Sequence, residues 1–410
     1  MREYMKKVGI IGGGASGLIA ALYAHKNGAS VTVFERKDRV GKKILVTGNG
    51  RCNFTNEYMK PECYYTDDTD FVGKVLSEYS KDDLCLFFMG LGLLIKEKNG
   101  YYYPACEQAS AVLDVIRNAL EETDVEIKTE SLVTEVKKNK SGFSVKTESG
   151  ETFSFDRIII AAGGKAGIGT KEQANGYDLI KSLGHKIGKL YPALTQMKCE
   201  GLNFKGLAGV RSDCEMYVFS DENLIMQQAG EVLFTDNGLS GIVSFQVSHC
   251  VAELLDNKKD VSILMNLLPG FDEESLKNFV ISKILLHENS TVENFFTGFL
   301  NKKLNVEIIK RNGLKPSARV CDYERDTIIN AVLSMQEVLV KAVGVNGFDK
   351  AQVTGGGVPT AELSDTLESK ICEGLYITGE LMDVDGICGG YNLQWAFSTG
   401  AIAGKNAATK

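Results

Sequence analysis

The chain has 410 residues, room for two or three domains, and its 44% hydrophobic and 24% charged content exclude a disordered chain or a small stapled scaffold. A net charge of −7 gives no overall basic footprint for nucleic acid or an anionic membrane surface, so neither is expected as a partner. No apolar stretch reaches the length of a membrane span or a leader, which makes a cytoplasmic location the expectation. Ten cysteines without a C-x-x-C pair and only four histidines argue against a metal site and for free thiols.

Residues 8–35, VGIIGGGASGLIAALYAHKNGASVTVFE, read as strand, glycine turn, helix and second strand. Gly12, Gly14 and Gly17 have the G-x-G-x-x-G spacing of a dinucleotide-binding turn: the first for the tight bend, the second for backbone approach to a pyrophosphate, the third for close helix packing. A helical pattern follows over 18–26, and the helix N-terminus offers free N–H groups and about +0.5 charge to phosphates. Glu35 ends the second strand, where a carboxylate accepts hydrogen bonds from a ribose. Residues 47–56, TGNGRCNFTN, suit a ligand-holding loop rather than a helix or strand. Residues 70–94 and 110–122 have helical spacing, and 96–103 form a hairpin ending at Pro104. From 125 an alternating pattern predicts a three-stranded antiparallel excursion that returns to a buried strand at 157–162, ending in Ala161-Ala162-Gly163-Gly164.

Between 190 and 352 the texture changes: 194–247 is strand-like, 248–310 helical, and 336–345 strand again. The expectation is an α/β, Rossmann-like, discontinuous FAD-binding domain, residues 1–190 and 351–410. It is interrupted by an inserted β-barrel-like domain at 191–350 with a helical part near 248–310. The closing segment supplies another glycine turn at 354–357, a strand ending at Gly379-Glu380, and a glycine-rich helix start at Gly389-Gly390-Tyr391-Asn392-Leu393. Two such cradles suit the two ends of FAD: N–H groups near 392–394 would face the flavin pyrimidine edge, and Glu380 the ribityl chain.

GGGASG, GKKILVTGNGRCNFTN, AAGG, LFTDNGLSG, VTGGGV and GLYITGELMDVDGICGGYNLQWAFSTG together resemble the BaiN/YhiN-type family of bacterial flavoproteins across essentially the whole chain. That resemblance implies FAD contacts at Gly12, Gly14, Ala15, Ser16, Gly17, Glu35, Arg36, Lys43, Arg51, Asn53, Val133, Gly379, Glu380, Asn392 and Leu393. Gly48, Ala162, Gly163 and Gly390, from the remaining glycine turns, complete the expected cofactor set. Members are described as reductases of ring double bonds in 3-oxo bile-acid intermediates or as oxidases of small aminoketones. Many relatives read Phe-Thr-His and Ser-Gly-Pro where this chain has Phe234-Thr235-Asp236 and Ser240-Gly241-Ile242, so no histidine role is implied there.

The expected function is an FAD-dependent oxidoreductase moving a hydride between flavin N5 and a small organic substrate, foremost reduction of an activated C=C bond. An oxidase of a small aminoketone or amine using O2 is the alternative, and a non-catalytic flavin sensor is the alternative from another class. No second G-x-G-x-x-G unit follows, so NAD(P)H is expected as a transient co-substrate, or an electron-donor protein in its place. Catalytic residues are unassigned, with Cys52, Tyr191 and Tyr391 as candidates; each also suits ordinary packing. The insert is expected to set substrate choice, with 233–241 reaching the ring and Tyr191 and Phe234 as the positions to vary.

Overall fold

The computed structural model describes residues 5–167 and 176–409. The chain forms two compact units, Met1–Tyr191 with Val353–Lys410, and Pro192–Gln352.

The first unit is built on a five-stranded parallel sheet in the order Leu375–Ile377, Arg157–Ile160, Lys7–Ile11, Ser30–Phe34, Glu126–Lys128. Val8, Ile10, Val33, Ile158, Ile159, Ile160 and Leu375 are wholly buried, as strands covered on both faces require. From the central strand Lys7–Ile11 the chain passes to one side for its second strand and to the other for Arg157–Ile160. The crevice this reversal leaves at the strand's carboxyl end is where ligands of such sheets bind. The predicted excursion is a meander of Val133–Asn139, Gly142–Thr147 and Thr152–Phe155. Phe153 and Phe155 set their rings edge-on to Phe34, at 5.1 and 5.9 Å between centroids.

Helices Ala15–Lys26 and Tyr391–Thr409 cross in near backbone contact. A Cβ at Gly400 would lie 2.3 Å from the Ser16 carbonyl oxygen, and one at Gly404 2.3 Å from that of Ala20. No other residue allows this approach.

The second unit holds a closed antiparallel barrel of Met197–Glu200, Gly238–Ser240, Asn223–Thr235, Arg211–Ser220, Val261–Asn266 and Val338–Val345. Met197, Met216, Val218, Val232, Phe234, Ile263, Met265 and Val340 belong to its own hydrophobic core. The sequence segmentation needs correcting at two points. Ile242–Asp256 is a helix, although 194–247 reads as strand-like, and Val261–Asn266 is a barrel strand inside the stretch assigned to helices. The Val261–Asn266 strand alternates strictly between buried and half-buried positions, but six residues between two helices are too few for that period to stand out. Phe234 is wholly buried in the barrel core, which removes it as a substrate contact.

Candidate functional site

At the end of the central strand three glycines play three different parts. Gly12 has φ +109° and a Cβ there would sit 2.3 Å from the Ala161 carbonyl oxygen, while its N–H donates to Phe34 O at 2.8 Å. Gly17 brings the helix onto the turn, its Cβ position 1.9 Å from the Gly12 oxygen. Gly14 has an ordinary φ of −88°, and nothing lies within 4 Å of its Cβ position. The protein's own packing therefore gives no reason for a glycine there; the open space sits at a helix N-terminus. Beside it the hydroxyl of Ser16 is buried without a hydrogen-bond partner, a need that a phosphate oxygen is suited to meet.

Glu35 follows the second strand and grips the turn: one carboxylate oxygen accepts the Gly13 N–H and the other the Lys37 N–H, each at 2.9 Å. A carboxylate offers about four acceptor sites, so both oxygens keep room for ribose hydroxyls. Arg36 is half-buried beside it, and Val133 is buried at the start of the meander. Glu35→Gln is expected to weaken FAD binding by about 1.5–3 kcal/mol, the worth of a charge-assisted hydrogen bond, without preventing saturation. Flavin-fluorescence titration checks this, and complete loss of flavin would contradict it.

Residues 44–56 explain their own composition. Gly48, Asn49, Gly50 and Cys52 all have left-handed φ, at 56°, 55°, 82° and 55°, which glycine and asparagine adopt most readily. The short 3-10 turns at 44–50 break at Thr47, a departure from the purely irregular loop expected. The Oδ1 of Asn53 is buried without a partner, the second orphaned polar atom in the predicted cofactor set. Arg51 stays half-exposed, with a guanidinium nitrogen 3.9 Å from Glu107. Cys52 is wholly buried, and burial pushes its thiol up to about 11, against the slight lowering by Thr47. At neutral pH it holds its proton, which argues against a thiolate nucleophile. On thiol labelling of the native protein at pH 7, exposed Cys106 and Cys321 are expected to react and Cys52 to remain unmodified, read by peptide mass spectrometry.

The C-terminal segment meets both of these regions. Gly379, with φ +68°, packs against Ser16, its Cβ position 3.3 Å from the serine Cβ, and donates its N–H to Thr399 Oγ1 at 3.0 Å. Glu380 is held from two sides, by Lys43 Nζ at 2.6 Å and by the Thr354 N–H at 2.8 Å. Thr354 Oγ1 in turn accepts the Ala166 N–H at 2.8 Å, and Gly164 fits beneath Thr354 and Glu380 where a Cβ would meet both within 2.7 Å. Ala162 is half-buried at the end of its strand, and nothing lies within 4 Å of the Cβ position at Gly163. Thr354 and the wholly buried role of its hydroxyl were not predicted; the glycines after it drew the attention instead.

At the second helix start, Asn56 Nδ2 donates to Gly389 O at 3.0 Å and Thr55 Oγ1 to Gln394 Oε1 at 2.6 Å. The Gln394 N–H bonds Gly390 O at 2.9 Å, so it is spent on the helix, contrary to expectation. The side chain of Asn392 is also committed, accepting the Gly386 N–H at 2.8 Å and donating to Gly386 O at 2.6 Å. What Asn392 and Leu393 offer a ligand is backbone N–H at a helix N-terminus. The Tyr391 hydroxyl donates to Tyr58 O at 2.9 Å and burial raises its phenol, so it is a packing tyrosine rather than a substrate donor. Tyr191 is half-buried at the start of Tyr191–Ala193. A tyrosine that sequence reading passed over, Tyr177, donates to Glu380 O at 3.3 Å. Burial and the carboxylates of Glu380, Asp383 and Asp385 hold its phenol protonated.

The open Gly14, the orphaned Ser16 and Asn53 oxygens and the two glycine-bounded helix starts fit a dinucleotide cofactor. Among the described residues no helix is long and apolar enough to cross a membrane.

The chain is 38% identical over 409 residues to a protein of Clostridium scindens named 3-dehydro-bile acid delta(4,6)-reductase, covering 99% of this chain and 100% of that one. It is 30% identical over 391 residues to a protein of Escherichia coli named ribosomal RNA dihydrouridine synthase, covering 95% of each. Among solved structures it is similar to a 3-ketosteroid-delta4-(5alpha)-dehydrogenase from Rhodococcus jostii, with a TM-score of 0.49 and 14% identity, covering 100% of this chain and 98% of that one. Residues 6–406 match the HI0933-like protein Rossmann domain. The chain belongs to the HI0933-like protein Rossmann domain family and is an FAD-dependent oxidoreductase.

Proposed function

We propose that this protein reduces a C=C bond conjugated to a carbonyl, taking its electrons from NAD(P)H as a transient co-substrate. The observation that carries the reading is the full-length similarity to a protein named as a delta(4,6)-reductase of 3-dehydro bile acids, whose substrate name describes such a conjugated system. When bound and reduced, FAD would supply the hydride for the β-carbon, with a proton going to the α-carbon.

The chain's own residues hold and bias that cofactor. Backbone N–H groups at 14–17 and the Ser16 hydroxyl would hold the pyrophosphate, and Glu35 the adenosine ribose. Glu380, neutralised by Lys43 and fixed by Thr354, receives the ribityl hydroxyls. The N-terminus of Tyr391–Thr409, through the N–H groups of Asn392 and Leu393, favours negative charge at the pyrimidine edge by roughly 0.3–2 kcal/mol. Cys52 and Tyr391 take no part in proton delivery, being buried and committed.

A second reading has the same chemistry. In a uracil base the C5=C6 bond is conjugated to the C4 carbonyl, and two full-length relatives carry the name ribosomal RNA dihydrouridine synthase.

FAD-loaded protein, reduced anaerobically with NADH or NADPH, is mixed with a 3-oxo-4,6-diene bile acid or with unmodified ribosomal RNA. Reoxidation of the flavin with loss of one conjugated double bond per flavin is expected with one of them. Reoxidation by oxygen alone, with peroxide formed, would make the protein an oxidase and overturn the proposal.

A further inference from the structure

We infer that the outer face of helix Lys302–Arg311 and the adjoining helix Phe204–Leu207 bind the phosphate backbone of RNA. This rests on the uracil reading and names its substrate as a nucleic acid. The net charge of −7 conceals a strong local segregation: residues 302–319 carry six cations, Lys302, Lys303, Lys310, Arg311, Lys315 and Arg319, against the single carboxylate of Glu307. Fields at a surface are screened beyond about 8 Å at physiological salt, so the local sign governs what docks there.

The helix places two of these charges on one side. Leu304, Ile308 and Ile309 are buried in the unit's core, whereas Lys303 and Lys310, seven residues and about 10 Å apart along the axis, share the exposed face. Lys303 Nζ reaches the Ala208 carbonyl at 3.5 Å, which brings it beside exposed Lys205 on Phe204–Leu207. Arg311 is pinned by Gly201 O at 2.8 Å and Leu339 O at 2.9 Å, partners that fix its guanidinium without cancelling its charge. Glu307 is turned to the Asn203 N–H at 3.1 Å. Lys302 pairs with Glu293 at 3.0 Å, but among the described residues no carboxylate pairs with Lys205, Lys303, Lys310 or Lys315. Unneutralised Lys303 and Lys310 on one helix face, with Lys205 and Lys315 exposed on the adjoining segments of an acidic chain, are what a polyanion needs and what a small neutral or monoanionic substrate does not.

The test uses FAD-loaded protein and a fluorescently labelled, uridine-containing single-stranded RNA, with anisotropy read over a salt series. Four phosphate contacts give a log–log salt slope of about −3. The combined variant Lys205→Gln, Lys303→Gln, Lys310→Gln, Lys315→Gln is expected to lose at least about tenfold in affinity at low salt and to flatten that slope. Its flavin content and NAD(P)H oxidation should match the parent. Unchanged RNA affinity in the variant, or lysine-dependent binding to phosphatidylglycerol vesicles but not RNA, overturns the inference. Lysine-dependent RNA binding without any uracil reduction would leave this surface standing and remove the uracil reading instead.

Discussion

Gly14→Val is expected to give a folded protein that no longer retains FAD. A valine Cβ there meets nothing of the chain within 4 Å, and φ of −88° is open to any residue, so the folded state is disturbed only by a poorer helix cap, about 1 kcal/mol. The side chain would instead occupy the space where a pyrophosphate meets the helix N-terminus. Losing two charge-assisted hydrogen bonds costs about 3 kcal/mol or more, over a hundredfold in Kd. Thermal unfolding of the cofactor-free protein and flavin content after reconstitution separate the two effects. Full flavin occupancy in the valine variant would mean the phosphates lie elsewhere.

Gly400→Leu should do the opposite, and damage the fold first. Its Cβ would stand 2.3 Å from the Ser16 carbonyl oxygen and 3.1 Å from the carbonyl carbon, backbone atoms that cannot swing aside. The helices must separate, at a cost of about 3 kcal/mol or more. In a unit of this size that lowers Tm by roughly 10 °C. Flavin is lost as well, because Ser16, displaced at this crossing, also packs against Gly379. Differential scanning calorimetry of the cofactor-free variant reads the result; an unchanged Tm would show that the crossing carries little stability.

These two glycines also mark what sequence reading could and could not reach. Gly14 sits in a spacing with a known physical use, and the strand, turn, helix and acid around it agree, so residues 8–35 were legible as a unit. The hairpin at Ile95–Lys98 and Tyr101–Pro104 and the meander after Val133 were legible for the same local reasons, alternation and turn residues. Gly400 and Gly404 were not. Each costs about 1 kcal/mol in a helix, which signals a purpose, but which backbone they meet is set by a partner some 380 residues away in sequence. Val261–Asn266 escaped for a like reason, since its neighbours Arg211–Ser220 and Val338–Val345 are distant in the chain. Within the site, sequence placed Glu380 and Lys43 separately; their 2.6 Å pairing and the bracing by Thr354 are products of folding. Cys52 and Tyr391 drew attention through position, and only burial could show that both are packed away.

The crossing of Ala15–Lys26 with Tyr391–Thr409 also has a consequence for biosynthesis. Domains fold as they leave the ribosome, at roughly 5–20 residues per second, and the Pro192–Gln352 unit is continuous in sequence and can close on its own schedule. The first helix has no such freedom: its partner is translated about 370 residues later, after roughly 20 to 75 seconds. Throughout that interval the Ser16–Ala20 face that Gly400 and Gly404 will cover, wholly buried Ala20 included, stays open to water. Flavin loading is thereby confined to the moment after translation, and a ribosome stalled anywhere in the barrel leaves a product unable to capture cofactor and suited to clearance by chaperones and proteases.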